Sequence, residues 1–298
     1  MRAVVTGGAG FIGSNLVDAL LARGDEVVVI DDLSTGKRYN VADAARLVEV
    51  DIRGADMAET FADADACFHL AAQADVPTSV RRPDFDAEVN VIGSIRVLQA
   101  AGDRTPVVFV STGGAIYGEC ERPAREDDPR RPLSPYGVAK LAAEEYLAAW
   151  NRLYSTRHTV LRLANVYGPR QEAGLEGGVV AIFLDAMAAG AESTIYGDGG
   201  QTRDFVHVDD VVRALLAAPG QGGVYNIGSG VETSVGVLHE RCRAVTGDDR
   251  PPRQAPPREG DVLRSILDVS LAERELGWRP EVSLDEGLRR TWDWIANR

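Results

Sequence analysis

Short β-branched apolar runs alternate along the first part of the chain with stretches whose apolar residues recur at helical spacing. Arg2-Ala3-Val4-Val5-Thr6 has the character of a buried parallel strand. Leu16, Val17, Leu20 and Leu21 repeat at the spacing of a helix that Gly24 ends, and residues 26–30 form a second strand. Residues 47–50 read as a strand ending at Asp51, 66–70 as the next, and 106–111 as another. Residues 84–101 form a helix with Val89, Ile92, Val97 and Leu98 as apolar members. The polar, proline-rich stretch 121–135 reads as a loop. Ser134 or Pro135 then opens a long helix through Tyr136, Lys140, Leu141, Tyr146, Leu147 and Trp150, and 158–163 is a further strand.

Strands alternating with helices predict an α/β fold, a Rossmann-type doubly wound parallel sheet. The character changes after residues 165–170. Glycine loops (174–178, 197–200) alternate with short helices (179–189, 235–246), 251–257 is a proline-rich loop, and the tail (271–276, 284–295) is amphipathic helix. Trp278, Trp292 and Trp294 read as packing anchors. The expected division is a Rossmann domain of residues 1–165 plus about 204–228, and a smaller α/β substrate-binding C-terminal domain of 166–203 and 229–298.

The composition, 45% hydrophobic and 26% charged, is globular, and 298 residues suffice for one large domain or two unequal ones. A net charge of -13, from 45 acidic and 32 basic residues, argues against nonspecific binding to nucleic acid or anionic membranes while leaving room for a local phosphate site. Cys67, Cys120 and Cys242 are far apart and lack CxxC spacing, so neither a zinc site nor a disulfide framework is expected, only buried or incidental thiols. No apolar run approaches a membrane span, and the chain opens on a strand without a signal-peptide pattern. A soluble cytoplasmic protein with no metal, membrane or nucleic-acid partner is expected.

Between the first strand and the first helix lies Gly7-Gly8-Ala9-Gly10-Phe11-Ile12-Gly13, which fits GxxGxxG and GxGxxG. Glycines there allow a tight turn and let a pyrophosphate approach the backbone at a helix N-terminus. In a strand–turn–helix setting this points to a dinucleotide. Strand two ends in Ile30-Asp31-Asp32, and a carboxylate at that place accepts from ribose hydroxyls and repels a 2′-phosphate. NAD is therefore favoured over NADP, although Lys37 and Arg38 nearby could tolerate a phosphate. Ligands of such sheets sit at the carboxyl ends of the strands, where 6–13, Asp31, Asp51, 71–73 and 111–114 all fall. His69 reads as a satisfied core histidine rather than a base.

Ser134-Pro135-Tyr136-Gly137-Val138-Ala139-Lys140 places a phenol and an ammonium four residues apart, on one helix face. The ammonium favours the phenolate, so the tyrosine pKa is expected to fall from about 10 toward neutrality. Such a tyrosine can take a proton from an alcohol and return it.

Together these motifs resemble the extended short-chain dehydrogenase/reductase family, and within it the UDP-glucose 4-epimerase group. The resemblance spans essentially the whole chain. It includes Thr6 to Gly13, Asp31-Asp32-Leu33-Ser34-Thr35-Gly36, His69-Leu70-Ala71-Ala72, Ser134 to Gly137 with Lys140, Asn165-Val166-Tyr167-Gly168-Pro169-Arg170, Arg203-Asp204-Phe205-Val206-His207-Val208-Asp209-Asp210, and Arg258-Glu259-Gly260-Asp261. It implies that Gly7, Gly10, Phe11, Ile12 and Gly13 hold the pyrophosphate region of NAD. Asp31, Asp32, Leu33, Ser34, Thr35 and Gly36 would hold its ribose, with Asp51 and Ile52 near the adenine. Leu70, Ala71, Ala72 and Gln73 complete the cofactor side, and Lys140 touches the nicotinamide ribose beside Tyr136. A UDP-sugar would follow, with Asn165, Arg203 and Arg258 on its diphosphate, Val179 and Tyr196 on its uracil, and Asp261 on its uridine ribose. Guanidinium groups suit a diphosphate by bidentate hydrogen bonding. Relatives dimerise through helices matching 84–101 and 136–154, so a homodimer is implied.

The implied reaction is 4-epimerisation: Tyr136 as phenolate removes the C4 hydroxyl proton while the C4 hydride moves to NAD, and the 4-keto sugar turns before hydride returns. Dehydratase and decarboxylase relatives carry acids just before the Tyr117 position, where this chain has Gly114, Ala115 and Ile116. Their absence favours plain epimerisation. Gly113 departs from the group, in which a serine or threonine bridges sugar and tyrosine. Thr112, Ser111 or water would supply that hydroxyl, with Thr112 the expected one. Ser265, where a tyrosine restricts other relatives to plain hexoses, leaves room for N-acetyl sugars. A UDP-glucuronate 4-epimerase ranks second, because the arginine expected after the glycine loop has no counterpart at 179–183. A catalytically idle NAD-binding regulator would have lost the Tyr/Lys pair or the arginines, and this chain keeps both.

Overall fold

The β-branched runs become parallel strands because each is buried on both faces and needs no polar alternation. The computed structural model describes residues 1–54, 56–174, 178–257 and 262–298. Its strands are β1 (Arg2–Thr6), β2 (Glu26–Asp31), β3 (Arg46–Glu49), β4 (Ala66–His69), β5 (Val107–Thr112), β6 (Thr159–Leu163), β7 (Asn165–Tyr167), β8 (Thr194–Tyr196), β9 (Thr202–His207), β10 (Gly223–Ile227), β11 (Glu232–Ser234) and β12 (Arg253–Ala255). Seven form one sheet in the order β10-β6-β5-β4-β1-β2-β3, with every pairing parallel. Val4 sits opposite Val28 on one side and Cys67 on the other.

Helices cover both faces of this sheet. Leu16, Val17 and Leu20 of Phe11–Ala22 share one core with Val208, Val211 and Leu215 of Val208–Ala217. Val97, Leu98, Ala143 and Leu147 build the opposite core from Ser94–Ala101 and Pro135–Tyr154. This is the doubly wound α/β architecture expected from the sequence. The order reverses between β1 and β4, which opens a crevice at their carboxyl ends. The remaining strands form two small sheets, β11-β9-β7 and β12-β8. A third core joins Phe183 and Leu184 to Leu238 and Leu288.

Two differences from the hydrophobic pattern bear on the site. The stretch expected as one helix over 84–101 is Pro83–Ala87, a π-helical segment Glu88–Gly93, and Ser94–Ala101. The wider turn sits at Asn90, whose side chain leaves the helix to bond Gln73: Nδ2 donates to the Gln73 carbonyl (2.9 Å), and Oδ1 accepts from the Gln73 N–H (3.0 Å). The pattern also left β9, β10 and Val208–Ala217 unmarked, although β10 closes the edge of the main sheet beside β6. No helix among the described residues is long and apolar enough to cross a membrane.

Candidate active site

A cavity of about 790 Å³ opens at the carboxyl ends of β1, β2, β4 and β5, where the order of the sheet reverses. Its first wall is the glycine turn. Gly7 takes φ +72°, and a Cβ on it would stand 2.6 Å from the Ala71 nitrogen, so the ends of β1 and β4 touch through their backbones. A Cβ on Gly13 would fall 2.1 Å from the Gly7 carbonyl oxygen. Gly10 starts Phe11–Ala22 without a side-chain cap, which leaves the helix N-terminus to a ligand.

Asp31, 8% exposed, ends β2 beside this turn. Its Oδ2 accepts from the Ala9 N–H (2.9 Å) and its Oδ1 from the Leu33 N–H (2.9 Å). Burial raises its pKa against those hydrogen bonds. Each oxygen keeps a further acceptor position for a ribose hydroxyl. The two cations that left NADP open are both engaged: Arg38 pairs with Glu49, and Lys37 lies 3.8 Å from Glu172. A side-chain-free turn, a helix start without a side-chain cap and a carboxylate at the end of β2 fit NAD.

Farther along the wall, Arg53 embraces Asp51, with Nε 2.9 Å and Nη2 2.6 Å from Oδ2, and its guanidinium carbon lies 5.2 Å from the Phe85 ring centre. These hydrogen bonds lower the Asp51 pKa and raise that of Arg53.

The opposite wall is made of side chains. Ser134 caps Pro135–Tyr154, its Oγ accepting from the Gly137 N–H at 3.2 Å. Proline at the first helical position completes the start. Tyr136 and Lys140 then face the cavity together. Lys140, 3% exposed, donates from Nζ to the Val110 carbonyl (2.9 Å) and lies 4.7 Å from the centre of the Phe109 ring. Strand β5 thus holds the ammonium by a carbonyl and a π face, both of which favour its charge.

His69 is a core histidine, as its sequence setting suggested. Its ring nitrogens meet Thr6 Oγ1 (2.7 Å) and Ser94 Oγ (3.0 Å), and burial, with help from the Lys140 charge, lowers its pKa to about 3.

Gly7, Gly10, Phe11, Ile12, Gly13, Asp31, Asp32, Ser34, Thr35, Gly36, Asp51, Ile52, Leu70, Ala71, Ala72, Gln73, Thr112, Tyr136, Lys140, Asn165 and Val179 all line this one cavity. Leu33 does not: it turns at φ +58° and gives its N–H to Asp31. Tyr196 on β8 and Arg203 on β9 also stand off the wall, the latter donating from Nη1 to the Thr202 carbonyl at 2.8 Å. Arg258 and Asp261 lie outside the described residues.

The structure explains the departure at Gly113. A Cβ there would sit 2.5 Å from Leu267 Cδ1, so a leucine side chain fills the space of the missing residue. Both neighbouring hydroxyl residues line the cavity: Ser111 donates to Glu144 Oε1 (2.6 Å), and Thr112 is half-buried. The sequence reading missed Thr78, Arg81 and Phe85 in the wall, although with Val89 they recur at helical spacing. It also missed buried Gln171, whose place in the wall depends on a chain reversal at Gly168 and Arg170 with no periodic signature. Among the described residues no group of acidic, histidine or cysteine side chains could hold a metal.

Comparison with known proteins agrees with this geometry. The chain is 46% identical over 312 residues to a UDP-glucose 4-epimerase of Mycolicibacterium smegmatis, covering 100% of this chain and 99% of that protein. Its fold is similar to the crystal structure of a UDP-glucose 4-epimerase with UDP-glucose from Thermotoga maritima, with a TM-score of 0.96, 47% identity and coverage of 100% and 99% of the two chains. The complex of a Thermus thermophilus UDP-glucose 4-epimerase with NAD gives a TM-score of 0.91 and 42% identity, covering 99% of each chain. Residues 3–228 match the family described as NAD dependent epimerase/dehydratase. The chain belongs to the NAD dependent epimerase/dehydratase family.

Proposed function

We propose that this chain is a UDP-glucose 4-epimerase that interconverts UDP-glucose and UDP-galactose through a 4-keto sugar. The observation that carries the reading is the placement of Tyr136 and Lys140 in the wall of the cavity that the glycine turn closes on its other side. The stretch 114–116, Gly-Ala-Ile, offers no acid for eliminating water or assisting loss of CO₂. Bound NAD supplies the two-electron oxidation and the return reduction at the sugar C4.

The chain's own residues move the proton and hold the ligands. Tyr136 takes the proton from the C4 hydroxyl and returns it. Lys140 favours the phenolate and binds the nicotinamide ribose. Thr112 stands in for the hydroxyl displaced from Gly113. The glycine turn with Phe11 and Ile12 holds the pyrophosphate, Asp31 through Gly36 the ribose, and Asp51 and Ile52 the adenine. Asn165, Arg203 and Arg258 take the UDP diphosphate, Val179 and Tyr196 the uracil, and Asp261 the uridine ribose. Buried Ser265 is small enough to leave room for an N-acetyl group, so UDP-N-acetylhexosamines are further candidate substrates. The NAD domain comprises 1–165 and about 204–228, and the UDP-sugar domain the remainder.

Tyr136→Phe is expected to lower turnover on UDP-glucose by about 10³–10⁴-fold while UDP still binds. Unchanged turnover would sink the assignment. The enzyme is read as cytoplasmic and as a homodimer formed through 83–101 and Pro135–Tyr154. These segments pack together and carry exposed Ile92, Val138, Tyr146 and Leu153. Sedimentation at twice the 32.0 kDa chain mass tests the dimer, and a monomer would refute it.

A further inference from the structure

Tyr136, Lys140 and Glu144 follow one another up the same helix at four-residue intervals. Lysine and glutamate at that spacing are within reach of each other across one turn. Here Glu144, 3% exposed, is turned to other partners. Its Oε2 lies 2.7 Å from Arg162 Nη2 and 3.2 Å from Nε, and its Oε1 lies 3.0 Å from Nε. That oxygen also accepts from Ser111 Oγ at 2.6 Å. Arg162, 1% exposed on β6, is itself fixed by further contacts: Nη1 donates to Tyr117 OH (2.7 Å) and to the Glu126 carbonyl (3.1 Å), while Tyr117 OH donates to Asn226 Oδ1 (2.8 Å).

We infer that Arg162 is a positioning residue for the proton transfer: it holds the Glu144 carboxylate away from Lys140, so that the ammonium acts on Tyr136. The inference rests on the epimerase reading for the use of that phenol, but not for its electrostatics. Because the guanidinium grips Glu144 in a bidentate fork and is anchored from β6, the carboxylate has one low-energy place to be. Remove the fork, and the nearest cation up the helix face is Lys140. A carboxylate paired there offsets the charge by which Lys140 favours the phenolate.

Other charged groups lie around this helix, and among them the Asp86 Oδ2 is buried without a hydrogen-bond partner. His69 on β4 is neutral at working pH. Asp86 on Pro83–Ala87 feels the Lys140 charge, and its Oδ1 accepts from Gln73 Nε2 (2.7 Å) and Asn90 Nδ2 (3.1 Å). Asp84 faces Arg82, and Arg81 of Val76–Arg81 bonds Thr78 Oγ1. Glu88 reaches Arg53 at 3.4 Å, Arg96 is exposed, and Glu145 pairs with Arg130 at the surface. Strand β5 and Gly113–Ile116 contribute no charge.

The test is an ultraviolet difference titration of the Tyr136 phenol in the purified holoprotein, corrected with Tyr136→Phe, alongside the pH profile of kcat on UDP-glucose. Arg162→Met should move the Tyr136 titration and the acid limb of kcat upward by about one pH unit. Adding Glu144→Gln to that variant should bring both back to the original position, because no carboxylate remains to approach Lys140. A merely structural role would leave the titration in place or be worsened by the second change. An unshifted titration in Arg162→Met, or a shift that Glu144→Gln does not reverse, overturns the inference. Removing one partner of a buried pair can prevent folding. In that event Arg162→Lys, which cannot grip both carboxylate oxygens, should show a smaller upward shift, and no shift overturns the inference. Absence of epimerase turnover in the unaltered protein would instead defeat the functional reading and leave the phenol titration to decide this one.

Discussion

On the β1–β2 side of the cavity the chain offers a ligand mostly backbone, while on the β5 side it offers side chains. At its turn the first wall is glycine packed against carbonyl oxygens and amides, with Asp31 beside it and Asp51 and Arg53 farther along. The second presents Tyr136, Lys140 and Thr112 from a capped helix and a strand end. The difference separates two tasks. A backbone wall has no rotamers to lose and gives a large anionic ligand one shape to fit. A side-chain wall can be tuned, because each group's proton affinity depends on what surrounds it. Substitutions on the first wall should therefore act through ligand binding and stability, and those on the second should be graded by how directly each group handles the proton.

On the first wall the largest effect should come from Gly13→Ala. The added carbon would lie 2.1 Å from a backbone oxygen that has no rotamer to escape into. The expected outcome is a loss of about 1–3 kcal/mol in stability. NAD affinity should fall by about a hundredfold. Calorimetric NAD titration of the stripped protein measures it. An alanine tolerated without loss of NAD binding would break the distinction between the walls.

This wall was also the part most legible in the sequence. A glycine turn, the strand before it and Asp31 after it all lie within about thirty residues, and their chemistry depends on local order alone. Tyr136 and Lys140 were legible for the same reason, since helix geometry brings i and i+4 together. What escaped was set by distant packing. Nothing near Gly113 announces Leu267, and nothing near Glu144 announces Arg162 on another strand. The π segment at Glu88–Gly93 was hidden because the Asn90–Gln73 pairing that accompanies it joins a helix to a separate loop. Leu33 stands differently from its neighbours: it is not in the cavity wall, and its N–H supports Asp31, which is.

His69 stitches the two walls, bonding Thr6 of β1 while feeling the charge of Lys140. Its folded pKa, about 3, lies below the ordinary 6.5, chiefly from burial. A depressed value means that its contribution to stability is complete above about pH 6.5 and is lost as pH falls toward the folded value. By about pH 4.5 the loss should be on the order of 3 kcal/mol. Urea unfolding across that range should show the slope, and His69→Gln should flatten it. An unchanged slope in the variant would mean that the acid sensitivity belongs elsewhere, with buried His158, lowered to about 4, the next candidate.

The smallest effect tests whether the second wall is as graded as its construction implies. Ser111 and Thr112 are adjacent, and either could in principle hydrogen-bond the sugar in place of the hydroxyl that Gly113 lacks. Their surroundings divide the work. The Ser111 hydroxyl is directed to Glu144, in a buried network, so losing it should cost stability of about 1 kcal/mol. Thr112 also lines the cavity, at the last position of β5, and its hydroxyl is not the one directed to Glu144. Thr112→Val keeps the branched shape and removes only the hydroxyl. It should lower kcat about tenfold, the loss of one hydrogen bond worth about 1.4 kcal/mol in the transition state, with little change in thermal stability. Ser111→Ala should do the reverse, with kcat reduced less than about threefold. If the two variants exchange these signatures, the bridging hydroxyl is Ser111. The Glu144 network would then belong to the chemistry rather than beneath it.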